Sequence, residues 1–109
     1  MSDLIIVSVY KSPSVSVKNL ISPLKEFIEK IDLNAKVLIA GDFNENALNK
    51  SQINQHLCRK VFTQHVNKPT HIDGGAIDHV YSRNIRELTW KTNSSYYSDH
   101  FWVILVIHC

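Results

Sequence analysis

Two short apolar runs, Leu4-Ile5-Ile6-Val7-Ser8-Val9-Tyr10 and Lys36-Val37-Leu38-Ile39-Ala40, flank a stretch with helical periodicity. This arrangement limits the fold more than any other feature of the chain. Each run is rich in β-branched residues and apolar at consecutive positions, as expected for a strand buried on both faces. Lys11-Ser12-Pro13-Ser14 ends the first run, since proline cannot continue a ladder. Gly41 ends the second. Between them Val17, Leu20, Ile21, Leu24, Phe27, Ile28 and Ile31 recur at intervals of three and four. That is the stripe of an amphipathic helix, with Lys18, Lys25, Glu26, Glu29 and Lys30 on its other side. Pro23 interrupts the stripe. Ser22 as N-cap with Pro23 at the first helical position would start a helix there. The alternative is a helix that begins near Ser16 and kinks at Pro23. One helical turn leading into a main helix is the favoured form, stopped by Asp32-Leu33-Asn34. Strand, helix, strand is a crossover unit if the strands are parallel, and it places functional groups just past the strand carboxyl ends.

The rest of the chain extends this α/β pattern. Ile53, Leu57, Val61 and Phe62 predict a shorter helix over residues 52–63. Asn67-Lys68-Pro69-Thr70 reads as a loop and Asp73-Gly74-Gly75 as a tight turn. Strands are expected at residues 76–81, 87–91 and 101–107, the last buried near the middle of a sheet, with Thr92-Asn93-Ser94-Ser95 as a loop. No repeat, low-complexity tract or linker is visible. At 109 residues, residues 1–109 make one domain.

Composition excludes several classes. A content of 44% apolar and 20% charged residues fits a globular chain rather than a disordered one. A net charge of +2 is too small to draw nucleic acid by its overall field, so any phosphate attraction must be local. Cys58 and Cys109 form neither a zinc nor a disulfide framework and read as free thiols. Ser2-Asp3 follows Met1 directly, and no apolar run is long enough for a signal peptide core or a membrane helix. The expected location is intracellular, in cytoplasm or nucleus, with no membrane association.

Three segments carry polar groups at strand ends. Asp42-Phe43-Asn44 sets two short polar side chains two residues apart after a buried strand. Asp42 there could orient or deprotonate water, and Asn44 could donate to a phosphate oxygen. Asp and Asn after a glycine also turn chains without catalysis. Asp78 lies inside an apolar strand, where a carboxylate is costly unless paired or solvated. His79 points to the opposite face from Asp78, so these two should not pair. Asp99-His100 precedes the most apolar strand, and an imidazole beside carboxylates can hold its proton and meet phosphate. His56, His65, His71 and His108 lack ligand-like spacing and read as surface or packing residues. Trp90, Tyr96, Tyr97 and Trp102 could stack on bases; Trp102 is better read as core, and Tyr96 and Tyr97 as surface candidates.

Taken in order, Gly41-Asp42-Phe43-Asn44, Ile77-Asp78-His79-Val80-Tyr81 and Ser98-Asp99-His100 form a pattern that resembles the endonuclease/exonuclease/phosphatase (DNase I-like) superfamily. Val9-Tyr10-Lys11-Ser12-Pro13 matches its strand-ending tyrosine segment, and Pro69-Thr70 also fits. The likeness covers nearly all of residues 4–107 and corresponds to the carboxyl-terminal half of the family.

The resemblance implies half of a four-layer α/β/β/α sandwich, with one mixed β-sheet and helices on one face. It implies hydrolysis of phosphodiester bonds in DNA or another nucleic acid with Mg2+ or Mn2+. Asp42 would align or activate water and belong with Asp99 to the metal set. Asn44 would hold water and phosphate, Tyr10 would contact the phosphate, and His100 would meet the scissile phosphate with Asp78 orienting its ring. Thr70, Tyr96 and Tyr97 would contact nucleic acid. The family's amino-terminal half supplies an Asn and a metal-binding Glu, and this sequence starts downstream of both. Glu45 or Asp73 could stand in for that Glu, though no motif supports either. The inner sheet face would then be exposed, and a homodimer of two half-sandwiches would cover it. The alternatives are a binding module for nucleic acid or protein without catalysis, and a phosphatase of the same superfamily.

Overall fold

Strand β1 (Leu4–Tyr10) and strand β2 (Lys36–Asp42) are parallel neighbours, in register from Leu4 opposite Lys36 to Tyr10 opposite Asp42. The computed structural model describes residues 4–48, 51–93, 99–100 and 102–108. Helix α1 (Val17–Glu29) makes the crossover between the two strands. Ser16 caps it, its hydroxyl oxygen accepting from the Asn19 N–H at 3.3 Å. The helix is continuous, so the favoured break before Pro23 is corrected. Pro23 lies on the exposed side, where water can serve the Asn19 carbonyl that proline leaves without a donor.

Strand β2 runs on through Gly41 to Asp42, beyond its expected end. Gly41 adopts φ 154°, and a Cβ there would lie 1.8 Å from the Val9 carbonyl oxygen of β1. Glycine thus continues the ladder because the two backbones meet too closely for any side chain. Helix α2 (Gln52–Arg59) is shorter than expected, and the short strand β3 (Thr63–Gln64) takes up the end of that segment. Strand β4 (Asp78–Arg83) starts two residues later than expected, and the Asp73-Gly74-Gly75 turn forms as read, with Gly74 at φ 95°. The sheet order is β1-β2-β4-β3, with β4 antiparallel to both neighbours.

The period-two rule assigns the two faces. Ile5, Val7, Val9, Val37, Ile39 and Tyr81 pack with Leu24 and Ile28 of α1 and Ile53 and Leu57 of α2. Leu38, Ala40 and Val80 pack on the opposite side with Leu88, Trp90, Val103, Leu105 and Ile107. Those residues belong to strands β5 (Glu87–Asn93) and β6 (Trp102–His108), an antiparallel pair forming a second sheet. The expectation of one mixed sheet is therefore corrected: a four-stranded mixed sheet lies between the helices and a two-stranded sheet. Among the described residues β6 pairs with β5 alone, so it is not central in a sheet, and Thr92 and Asn93 belong to β5 rather than to a loop. The second sheet covers Leu38 and Val80 but leaves Ile6 of β1 64% exposed, so the inner face is only partly open. No described helix is long and apolar enough to cross a membrane.

Candidate active site

Asp42 ends β2 and Asp78 begins β4, and they are directly opposite one another in the ladder. The next pair is closed by the Phe43 N–H donating to the Ile77 carbonyl at 2.8 Å. Asp42 and Asp78 therefore occupy a non-hydrogen-bonded position, where side chains stand closest. The Asp78 N–H points away from β2 and donates to Thr70 Oγ1 at 3.1 Å. Tyr10 is the Cα partner of Asp42 on β1, so Tyr10, Asp42 and Asp78 share a face. It is the face covered farther along by the second sheet, and a cleft lined by Ala40, Gly41, Val80, Val103 and Leu105 opens there beside Asp78.

His100 enters from the chain just before β6. Its Nδ1 lies 2.9 Å from Asp78 Oδ2 and its Nε2 lies 3.6 Å from Asp42 Oδ2. The hydrogen bond to Asp78 raises the His100 pKa above the ordinary histidine value; partial burial opposes it, and the charges of Asp78, Asp42 and Asp99 add to it. The ring is thus disposed to be an imidazolium between two carboxylates, with the Asp78 side supplying its orientation.

Asp99 lies beside His100, its Oδ1 4.0 Å from His100 Nε2. Its Oδ2 accepts from His71 Nε2 at 3.0 Å, and that bond, more than any charge, holds the Asp99 carboxyl below the usual carboxylate range. His71 Nδ1 in turn lies 3.1 Å from Asp73 Oδ1. The His71 and His100 rings meet edge to face with centroids 5.1 Å apart. His71, read from the sequence as a surface or packing residue, is thereby part of the cluster. Its local signal was weak: it follows Thr70 and precedes the Asp73-Gly74-Gly75 turn. What brings it in is a backbone bridge to His100 from a remote segment.

Several expected residues are employed differently. Asn44 sits at φ 48°, a left-handed conformation that asparagine tolerates. Its side-chain amide donates to the Lys11 carbonyl, and its backbone N–H donates to Asp42 Oδ1 at 3.0 Å. One oxygen of Asp42 is thus fixed by a turn while the other faces His100. Thr70 is fully buried, which corrects its expected place on a nucleic-acid surface; its hydroxyl instead holds the Asp78 backbone. Tyr10 is 72% exposed. Tyr96, Tyr97, Ser98 and the Trp102 side chain lie outside the described residues.

Of Glu45 and Asp73, Glu45 is committed to α2, accepting from the Ile53 N–H at 3.0 Å and from the Ser51 hydroxyl. Asp73 is exposed beside His71. His79 faces away from Asp78 as expected, buried against the Phe43 ring at 4.7 Å between centroids. It donates through Nε2 to the Glu45 carbonyl, which leaves Nδ1 to accept from the Tyr81 hydroxyl at 2.8 Å. Burial pushes its pKa down, in keeping with this neutral form. The two histidine environments thus diverge: burial lowers the pKa of the core ring of His79, and the bond to Asp78 raises that of His100 at the strand mouth.

The ligand atoms of Asp42, Asp78 and His100 lie within 4.8 Å of one another, as do those of His71, Asp99 and His100. A larger hollow lined by Asn67, Lys68, Trp90, Lys91 and Thr92 shares no residue with either group. No protein-family model matches the chain, and no curated protein matches it.

Proposed function

We propose that this chain is a divalent-metal-dependent nuclease of the endonuclease/exonuclease/phosphatase type, hydrolysing phosphodiester bonds in DNA. The observation that carries this reading is the placement of His100 between Asp78 and Asp42 at the end of β2. Asp78 orients the ring through Nδ1 and favours its protonated form, from which Nε2 donates to a phosphate oxygen as negative charge builds there. Asp42 is set to take a proton from water or to align it, because its Oδ1 is pinned by the Asn44 N–H and its Oδ2 faces His100. Asn44 acts in this reading through Asp42. Tyr10 is exposed on the same face and can reach the phosphate chain.

The carboxylates offer oxygens for a hard cation. Asp42 lies in one group of possible ligands with Asp78 and His100, and Asp99 in another with His71 and His100, so Mg2+ would rest on one of these carboxylates with substrate phosphate supplying further oxygens. Bound there, Mg2+ or Mn2+ would neutralise phosphate charge. Plasmid nicking by purified protein in Mg2+, Mn2+ or EDTA, beside His100→Ala, tests the reading. Metal-dependent nicking lost in His100→Ala supports it; no nicking, or equal nicking by both, overturns it.

A second reading, a binding module without catalysis, is favoured by one observation: the Asn44 amide is tied to the Lys11 carbonyl rather than held toward a substrate. DNA binding that is indifferent to EDTA and to His100→Ala would support it. The homodimer remains a proposal on either reading, with Leu4 and Ile6 of β1 as its contact surface. A monomer at micromolar concentration in gel filtration would overturn it.

A further inference from the structure

Each histidine of the cluster has a carboxylate oxygen near Nδ1, and His71 Nδ1 also accepts from the Asp73 N–H at 3.2 Å. His100 Nδ1 lies 2.9 Å from Asp78 Oδ2, and His71 Nδ1 lies 3.1 Å from Asp73 Oδ1. The opposite nitrogens turn toward one carboxylate: His71 Nε2 is 3.0 Å from Asp99 Oδ2, and His100 Nε2 is 4.0 Å from Asp99 Oδ1. The Asp78 carboxylate holds the Nδ1 proton of His100, so loss of the Nε2 proton to a metal ion would leave that nitrogen a fixed, more basic lone pair; His71 would give up the Nε2 proton it now shares with Asp99 and take one on Nδ1 beside Asp73. That is how outer carboxylates orient histidines for a metal ion.

We propose that His71, Asp99 and His100 form a binding site for zinc, with Asp73 and Asp78 as the outer carboxylates. Zinc–ligand distances of about 2.0–2.2 Å put tetrahedral neighbours roughly 3.4 Å apart. His71 Nε2 lies 3.0 Å from Asp99 Oδ2, and ligand atoms of the three residues all lie within 4.8 Å of one another, so a small closing movement reaches that spacing. Two imidazoles and one carboxylate suit zinc, whereas Mg2+ prefers oxygen alone. Three protein ligands leave a fourth position for water, or for Asp42 Oδ2, which is 3.6 Å from His100 Nε2.

The placement is set by backbone. His71 bridges to His100, and the Ile72 N–H donates to the Asp99 carbonyl at 2.9 Å. A simple hydrogen-bonded pair would account for His71 and Asp99 alone. It does not account for His100, which holds Asp78 at Nδ1 and lies with His71 and Asp99 so that ligand atoms of all three fall within 4.8 Å of one another. One consequence rests on the hydrolytic reading above: zinc on His100 Nε2 occupies the nitrogen that would meet phosphate, so zinc inhibits Mg2+-dependent cleavage. Zinc binding itself does not rest on that reading.

The test is calorimetric titration of Zn2+ into the metal-free full chain without nucleic acid, with Co2+ absorption in the visible as a second readout. One equivalent should bind, with intense Co2+ bands of low coordination number. His71→Gln should weaken binding by at least about tenfold, and Asp73→Asn by about tenfold or somewhat more. His65→Gln, outside the cluster, should leave it unchanged. In the unmutated protein, Zn2+ should shift the NMR signals of two imidazoles, which keeps the test open if His71→Gln folds poorly. Absence of binding, or equal affinity in a folded His71→Gln variant, overturns the site. A chain that binds zinc in this way and never nicks DNA supports the site and sinks only the hydrolytic reading.

Discussion

Asp42 and Asp78 face each other across the β2–β4 ladder at a non-hydrogen-bonded position, two carboxylates of like charge where side chains stand closest. Such a pair is unfavourable alone. His100 resolves it by placing one ring nitrogen toward each, 2.9 Å from Asp78 and 3.6 Å from Asp42. The charge of the imidazole and the geometry of the ladder are therefore coupled. Removing a carboxylate should release the proton, and removing the proton should restore the repulsion.

Asp78→Asn should accordingly lower the His100 pKa, measured by NMR titration of its imidazole. The bond to Asp78 is the largest cause of the raised value, and the remaining charges of Asp42 and Asp99 are weaker supports. The sign for stability follows from linkage. A pKa raised in the folded state contributes stability that is fully present below the unfolded value of about 6.5 and is lost as pH rises through the folded value. The stability gap between parent and variant should thus narrow across that interval. An unchanged His100 pKa would mean that Asp78 is not its partner.

Sequence periodicity reached the first half of this architecture closely because β1, α1 and β2 are each one unbroken apolar pattern. The continuity of α1 escaped it because proline's cost depends on whether the orphaned Asn19 carbonyl meets water, a tertiary property. The end of β2 escaped it for a similar reason: Gly41 reads locally as a breaker, yet here it lets Val9 approach. The candidate site was legible at the strand ends, in Asp42, Asp78, Asp99 and His100, which the fold brings together. His71 was not, because a histidine's meaning depends on which remote segment bridges to it. Thr70 is expected at nucleic acid only through the resemblance, and a threonine hydroxyl reads alike in sequence whether it serves a ligand or, as here, a backbone N–H.

Thr70→Val should show what that hydroxyl does. The side chain is fully buried, and its oxygen is the acceptor for the Asp78 N–H. Valine keeps the shape and strands the donor, which should cost about 1–3 kcal/mol in denaturant unfolding. Because Asp78 is displaced with its backbone, the His100 pKa should also fall. Thr70→Ser, which restores the acceptor, should recover most of both. If Thr70→Val left stability and the His100 pKa at parent values, the anchoring role would be wrong.

Glu45 separates a structural carboxylate from a metal-binding one. Its carboxylate accepts from the Ser51 hydroxyl and the Ile53 N–H at the start of α2, where the helix dipole also favours negative charge. Ser51 is itself the N-cap, accepting from the Asn54 N–H at 3.0 Å. Glu45→Ala should therefore remove a cap and destabilise the fold by about 1–2 kcal/mol, read from thermal or urea unfolding. Mn2+ affinity of the folded variant, measured by calorimetry, should stay within a few-fold of the parent, because the Glu45 carboxylate is engaged at α2 rather than at His100. The opposite pattern, parent stability with Mn2+ binding abolished, would make Glu45 a metal ligand and α2 its scaffold.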